Sequence, residues 1–465
     1  MTAGDDWAWI ERRQRFGIHP GLTRIRALLA ALGDPQDAYE VALVAGTNGK
    51  GSTAALLDAM LRADAGPRAP VARFISPHLT RFEERFTVDG RPLPEPLLAE
   101  VLAAVRPSAE RLDATFFEVL TAIAALAFAR AGVGRAVLEV GMGGRLDATN
   151  ASEPRISVIT QIALDHEAVL GATIAAIAGE KAGVLRAGRQ AITSADGEAL
   201  AVVRRRASEI GAPLIAIDDV GVALRDRGWA GVEVAGLAPL PIRTPLLGRH
   251  QARNLAAAAL AARAWGVGWD AVVDGAGSVR WPGRLERIDA HGCRWLLDGA
   301  HNPAAARALA AALQALDARA AVALLGVTGE RVDGELPAEL GRLAPVLVAT
   351  RAASSPRSAV AARLGERLRA LASQGEGVLE ADDVATAIEL AVAVATATEL
   401  AAATATELAA ATATATELAT ATATELAAAA SANPPTIVVA GSLFLVGEVR
   451  AHLLGEPLEG FERWQ

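Results

Sequence analysis

The sequence predicts an α/β protein, with a parallel sheet covered by helices on both faces followed by a second, smaller α/β domain. A short apolar run at residues 41–45 and strand-like runs at 136–140 and 156–160 alternate with helical stretches such as 118–130. Strands alternating with helices imply a parallel sheet with helices on both faces. After the turn formers Trp281-Pro-Gly-Arg284 the alternation starts afresh. A strand-like stretch at 295–297 precedes a helix over 304–316, a strand over 321–325 and a closing strand at 436–440. A length of 465 residues leaves room for two or three domains at roughly 150 residues each. The boundary falls near residue 284, giving domains 1–284 and 285–465.

The first organised unit is the run 41–45, the loop Gly46-Thr-Asn-Gly-Lys-Gly-Ser-Thr53 and a helical stretch over 54–61. Strand, glycine loop and helix in that order make a phosphate-binding loop. Successive backbone N–H groups and the helix amino terminus form a pocket for anionic oxygens, and glycines let the backbone approach closely. Thr47, Asn48, Gly49, Lys50, Gly51 and Ser52 are therefore the phosphate-binding candidates, with Lys50 reaching the outer phosphates and the Ser52 and Thr53 hydroxyls facing phosphate or Mg²⁺. The spacing departs from the usual Walker pattern, because Gly51 separates the lysine from Ser52.

Three candidate metal ligands follow, each near the carboxyl end of a strand-like run, where open parallel sheets gather their ligands. Ser76 opens Ser76-Pro-His-Leu79, Glu139 lies in Leu138-Glu-Val-Gly-Met-Gly-Gly144, and His166 closes Ala163-Leu-Asp-His166. Hydroxyl and carboxylate oxygens suit Mg²⁺ beside nucleotide phosphates, and imidazole is its less common partner. Lys181, in Gly179-Glu-Lys-Ala-Gly183, is the second of only two lysines; every other basic side chain of the Lys/Arg type is arginine. Where lysine is avoided almost everywhere, the retained copies point to work that arginine cannot do.

A helix is expected over 248–265, entered through Gly248-Arg-His-Gln and carrying Asn254. In the second domain Asp298-Gly-Ala-His-Asn-Pro303 follows a strand and leads into a helix. Asp298 could bond a ribose hydroxyl or orient a base, and His301 could contact phosphate, while Pro303 suits a helix's first turn. Simple helix capping by Asn302 explains the same segment equally well. Residues 385–430 form a tract of Ala, Thr, Glu and Leu, with Glu389, Glu399, Glu407, Glu417 and Glu425 each followed by leucine. It is read as a lengthened helix without chemistry.

Composition excludes several classes. A formal net charge of −8 argues against nucleic acid or an anionic membrane as partner. One cysteine, Cys293, permits neither an intrachain disulfide nor a cysteine metal cluster. The amino terminus, acidic and then basic, lacks an apolar h-region, and no apolar run of about 20 residues escapes charge, so a soluble cytoplasmic protein is expected.

Six motifs in fixed order carry a resemblance. They are the 46–52 loop, Ser76-Pro-His-Leu79, Thr115-Phe-Phe-Glu-Val-Leu-Thr-Ala122, Glu139-Val-Gly-Met-Gly-Gly-Arg-Leu-Asp-Ala-Thr-Asn150, Glu180-Lys-Ala-Gly183 and Asp298-Gly-Ala-His-Asn-Pro303. Outside the 385–430 tract the chain resembles the bacterial bifunctional dihydrofolate synthase/folylpolyglutamate synthases of the Mur ligase superfamily. The resemblance implies a P-loop ATPase domain of Mur ligase type followed by a Rossmann-like glutamate-ligase domain. It implies an ATP-dependent amide ligase, in which a pterin-linked carboxylate is phosphorylated and L-glutamate then displaces phosphate. Dihydropteroate or folate, L-glutamate and ATP would be the partners, Mg²⁺ the cofactor, and the protein a monomer.

By the same resemblance Ser76, Glu139 and His166 match the Mg²⁺ ligands, and Lys181 matches a lysine that is carbamylated. Asn254, Arg284 and Asp298 match ATP contacts, with His301 nearby as a catalytic candidate beside Lys50 and Lys181. Thr115, Phe116, Phe117, Glu118, Leu146, Asp147 and Ala148 would line the dihydropteroate pocket, with Phe117 stacking on the pterin, and Ser442 matches a position near glutamate. Three features depart from the pattern: Phe444 stands where tyrosine is usual, Gly326-Val-Thr-Gly-Glu330 lacks an Asp-Lys-Asp, and the alanine–threonine tract precedes Gly441.

Rival readings fare worse. A cell-wall Mur ligase carries a nucleotide-sugar-binding domain before its P-loop, for which a loop beginning at Gly46 leaves too few residues. A redox Rossmann enzyme is disfavoured because Gly141-Met-Gly-Gly144 does not give the GxGxxG spacing. A non-catalytic nucleotide-binding relative would be expected to have lost some of Lys50, Ser76, Glu139, His166 and Lys181. A synthase that only lengthens glutamate tails stays open, with Thr115-Phe-Phe-Glu118 leaning toward both activities.

Overall fold

The computed structural model describes residues 20–65, 69–372, 377–413 and 434–457, together with 9, 10, 12 and 13. They divide into two compact units, one running to Trp281 and one beginning at Pro282.

The first unit is built on β1 (Glu40–Ala45), β2 (Val71–Phe74), β3 (Phe86–Val88), β4 (Arg91–Pro92), β5 (Arg135–Glu139), β6 (Ile156–Ile159), β7 (Gln190–Thr193) and β8 (Leu214–Ala216). They form one eight-stranded sheet in the order β4-β3-β2-β5-β1-β6-β7-β8. All neighbours from β2 to β8 pair parallel, and β3 and β4 add an antiparallel edge. The central strand β1 shows why its residues 41–45 are apolar at every position. Val41, Leu43 and Ala45 enter a core with Leu120, Ile123 and Phe128 of the helix Phe116–Arg130. Ala42 and Val44 enter a second core with the helices Lys50–Ala65 and Arg249–Ala264. Side chains alternate across a strand, so a strand with a core on each side has no polar position to spare.

β9 (Ala223–Asp226), β10 (Val232–Ala235) and β11 (Ile242–Thr244) form a separate three-stranded antiparallel sheet that the residue pattern does not announce. Only three or four residues long, β9 and β11 alternate in burial, whereas β10 buries Val232, Glu233 and Val234 together, with Arg225 and Arg243 facing outward to hold Glu233. Such short runs offer too few periods to read.

In the second unit β12 (Glu286–Ala290), β13 (Cys293–Leu297), β14 (Ala320–Leu325), β15 (Val346–Ala349), β16 (Val378–Glu380) and β17 (Thr436–Ala440) form a sheet in the order β12-β13-β17-β14-β15-β16. Only β12 is antiparallel to its neighbour. The last strand of the chain thus inserts between β13 and β14. The helix Val384–Ala413 packs against β14 through its early turns, where Ala387, Ile388, Ala391 and Ala395 are buried. It contains residues 385–413 of the alanine–threonine tract; residues 414–430 of that tract lie outside the described residues. Cys293 is free and buried. No described helix is long and apolar enough to cross a membrane.

The helix Trp269–Ser278 lies so close to Lys50–Ala65 that a Cβ on Gly275 would stand 2.5 Å from Met60 Cα and 2.6 Å from its nitrogen. Backbone cannot yield as a side chain does. Gly275→Ala should therefore destabilise the first unit by about 1–3 kcal/mol despite alanine's better helix propensity. Chemical denaturation checks this, and an unchanged or raised midpoint would contradict it.

Candidate active site

The loop after β1 is fastened on two sides. The Thr47 and Asn48 N–H groups both donate to the Gln161 carbonyl, at 2.8 and 3.2 Å, and the Thr160 hydroxyl donates to the Asn48 carbonyl at 2.8 Å. The Thr47 hydroxyl donates to the Ala163 carbonyl and accepts from its N–H, both at 3.1 Å. Two glycines are required for this fit. Gly46 and Gly49 have φ of +149° and +88°, and a Cβ would run into the Thr160 hydroxyl at one and the Asn254 amide at the other. Asn254, buried on the helix Arg249–Ala264, donates to Gln251 Oε1 at 2.9 Å. The structure thus places it against the loop. The first helical bond runs from Thr53 N–H to the Gly49 carbonyl at 2.9 Å. The N–H groups of Gly49, Lys50, Gly51 and Ser52 therefore precede the helix ladder, the position from which helix starts bind anions.

Both lysines of the chain converge here. Lys50 Nζ donates to the Thr47 carbonyl at 3.2 Å. Lys181, on the helix Ile174–Ala182, is buried and donates to the Gly46 carbonyl at 2.8 Å. Burial, and next the charge of Lys50, push the Lys181 ammonium down to about 7, against the opposing pull of Asp165 and Asp147. Near neutral pH this amine is therefore available in its uncharged, nucleophilic form.

Of the metal-ligand candidates, Ser76 and Glu139 meet directly, with the Ser76 N–H donating to Glu139 Oε2 at 3.2 Å. Both are buried, and the Ser76 hydroxyl has no hydrogen-bond partner. An orphaned hydroxyl beside a carboxylate fits a hard divalent cation that takes its other oxygens from phosphate and water. His166 stands beside Asp165 in a left-handed conformation, φ 51°, its N–H bonded to Asp165 Oδ1 at 3.0 Å. Among the described residues no three His, Cys, Asp or Glu side chains form a ready metal cluster.

The segments expected to line a pterin pocket carry structural duties as well. Thr115 caps the helix Phe116–Arg130, and Glu118 returns to the Thr115 N–H at 2.8 Å while also pairing with Arg24 at 2.9 Å. Phe116 is buried under Arg85. Phe117 is half-buried, 5.8 Å from the Phe74 ring and against Gly141. Asp147 accepts from the Met142 and Thr149 N–H groups at 2.9 and 3.0 Å, so it shapes the 141–149 loop; burial pushes its carboxyl up. Leu146 is half-buried and Ala148 buried in the same loop.

In the second unit, Asp298 follows β13 and accepts from the Leu285 and Ala300 N–H groups at 2.8 and 2.9 Å. Arg284 donates to the Gly283 carbonyl at 3.1 Å and lies over Gly299, and His301 Nδ1 stands 3.0 Å from the Gly299 carbonyl. Asn302 does cap its helix, through Ala305 N–H at 2.9 Å. Ser442, after β17, caps the helix Leu443–Leu454. Since β13 and β17 are neighbours, Asp298 and Ser442 sit at adjacent carboxyl ends.

Sequence reasoning missed Thr160, Gln161, Asp165 and Trp281. A threonine closing an apolar strand opposite a glycine loop was the available signal for Thr160. Gln161 acts through its backbone, which no side-chain pattern reveals.

Residues 44–262 match the Mur ligase middle domain, and residues 283–406 match the Mur ligase glutamate ligase domain. The chain is 39% identical to the dihydrofolate synthase/folylpolyglutamate synthase of Mycobacterium tuberculosis, over 82% of this chain and 85% of that protein. It is 39% identical to a probable bifunctional folylpolyglutamate synthase/dihydropteroate synthase of Haloferax volcanii, over 72% of this chain but only 41% of that longer protein. A solved bifunctional folylpolyglutamate synthase/dihydrofolate synthase from Yersinia pestis, complexed with AMPPNP and a Mn ion, superposes with a TM-score of 0.76 at 27% identity, covering 96% of this chain and 97% of that one.

Lys181 supplies a pH test. Its folded-state value, about 7, lies below the 10.5 of an ordinary lysine. The cost of burying the ammonium is therefore full below that lower value, shrinks as pH rises, and is gone above the upper one. The unfolding free energy of Lys181→Met relative to wild type should fall as pH rises from about 6 to about 10. A difference that stays flat in urea titrations across that range would contradict the assignment.

Proposed function

This chain belongs to the dihydrofolate synthase/folylpolyglutamate synthase family of the Mur ligase superfamily, and from that premise we propose that it joins L-glutamate to dihydropteroate and to folates at the expense of ATP. The observation that carries the reading is the convergence of the only two lysines on consecutive carbonyls, Gly46 and Thr47, of one phosphate loop. ATP and a divalent cation are the cofactors of this chemistry, as in the relative with bound AMPPNP and Mn; Mg²⁺ is the cation proposed here.

The acceptor's carboxylate attacks the γ-phosphorus, ADP leaves, and an acyl phosphate forms. The glutamate amine then attacks the acyl carbon, and phosphate departs from the tetrahedral intermediate. Lys50 and the N–H groups of Gly49 to Ser52 meet the charge developing on the transferred phosphoryl group, where fixed donors contribute most. Ser76, Glu139 and His166 are proposed to hold the cation, which supplies charge neutralisation when bound. The Lys181 amine, uncharged in part near neutrality, can add to carbon dioxide with release of one proton, gaining a carboxylate beside the loop. Thr47, Asn48 and Asn254 are proposed to take the nucleotide in the first unit. Arg284, Asp298 and His301 are its proposed contacts in the second, where Ser442 is assigned to glutamate. Phe117 stacks on the pterin, with Phe116, Leu146 and Ala148 around it and Thr115, Glu118 and Asp147 fixing those segments. The protein is proposed to act as a cytoplasmic monomer; its net charge of −8 disfavours nucleic acid as a partner.

Phosphate release from ATP should require L-glutamate and either dihydropteroate or a reduced folate, each product gaining the mass of one glutamyl unit. Release with the folate alone would reduce the protein to a tail-lengthening synthase. Lys50→Ala should lose more than about a thousandfold in turnover with its fold intact; near-normal activity would sink the phosphate-loop assignment. Lys181→Ala should lose activity that added short carboxylates restore in part, and full activity without them would refute its role.

A further inference from the structure

We propose that Trp281 is a further ATP-contact residue, its indole N–H donating to an oxygen of the bound triphosphate. This rests on reading residues 46–53 as the ATP-phosphate loop. Trp281 is the last residue of the first unit, and its sequence context marks only a turn. Its ring stands against the start of the helix Lys50–Ala65. A Cβ built on Gly51 would lie 3.0 Å from Trp281 Cζ2 and 3.5 Å from Cε2. Cε2 is bonded to Nε1, so the edge turned toward the loop is the edge that carries the N–H. The same point lies 3.5 Å from Glu139 Oε2. Indole edge, phosphate loop and candidate metal carboxylate therefore converge on Gly51.

The indole nitrogen is buried and has no hydrogen-bond partner. Buried tryptophan N–H groups normally find an acceptor. Neither the loop nor the nearby Glu139 carboxylate accepts from it, and the loop's own leading N–H groups are donors, so the acceptor we assign is an anionic ligand held by the same loop. Arg73 stands over the ring. The Arg73 guanidinium lies 5.0 Å from the ring centroid, within cation–π range, and Arg73 is held in turn by the fully buried Asp58 at 3.1 Å. This arrangement also accounts for the extra glycine between Lys50 and Ser52: the indole occupies the space that any side chain at position 51 would need.

Trp281→Phe keeps the ring and removes the donor, while Trp281→Ala removes both. AMPPNP binding with Mn²⁺, measured by titration calorimetry on the full chain, should weaken about tenfold in the phenylalanine variant. KM for ATP should rise by a similar factor, with kcat little changed and the thermal midpoint retained. Wild-type protein labelled with ¹⁵N gives a second measurement. The indole resonance absent from the Trp281→Phe spectrum should move when AMPPNP is added. Wild-type affinity in Trp281→Phe, or an indole resonance that AMPPNP leaves in place, would overturn the proposal. Failure of the wild type itself to bind AMPPNP would instead overturn the phosphate-loop reading on which it rests.

Discussion

A buried ammonium on a loop carbonyl is the constraint on which the rest of this site depends. Taking a lysine out of water is costly unless its donors are matched and opposite charge is near. Lys181 meets that cost with the Gly46 carbonyl and the fields of Asp165 and Asp147, and still sits far below an ordinary lysine. The bond joins the helix Ile174–Ala182 to the residue that leaves the central strand. It sets where the phosphate loop begins, and it brings an amine that can shed its proton near neutrality beside Lys50. Arginine in this place could not shed its proton.

The sheet makes that convergence possible. β1 lies between β5 and β6, so the residues following all three strands emerge side by side. The phosphate loop follows β1, Glu139 ends β5, and Thr160 and Gln161 follow β6 to fasten the loop. Two cores of opposite side-chain register hold β1 rigidly, which keeps the glycine approaches at Gly46 and Gly49 to Thr160 and Asn254 in place. Positioning of this kind matters for phosphoryl transfer, where the protein does little covalent chemistry and gains mainly by fixed geometry and charge.

Much of this was legible in the sequence, for identifiable reasons. Strands buried on both faces announce themselves as unbroken apolar runs, and a glycine loop between strand and helix has few other uses. The scarcity of lysine singled out Lys50 and Lys181 before any contact was visible. What stayed hidden depends on backbone or on distance along the chain. Gln161 works through its carbonyl, the Glu118 carboxylate serves a cap and Arg24, and Trp281 reaches Gly51 from some 230 positions away. The short strands β9 to β11 failed for a different cause: three or four residues hold too little of a two-residue period.

The central claim is that ATP activates the acceptor by phosphorylating its carboxylate, and isotope transfer tests it most directly. Dihydropteroate carrying ¹⁸O in its carboxylate, turned over with ATP and L-glutamate, should deliver one labelled oxygen to each inorganic phosphate released, seen in the ³¹P spectrum or by mass. Released phosphate without the label, with glutamylated product still formed, would show that no acyl phosphate lies on the path and would contradict the account.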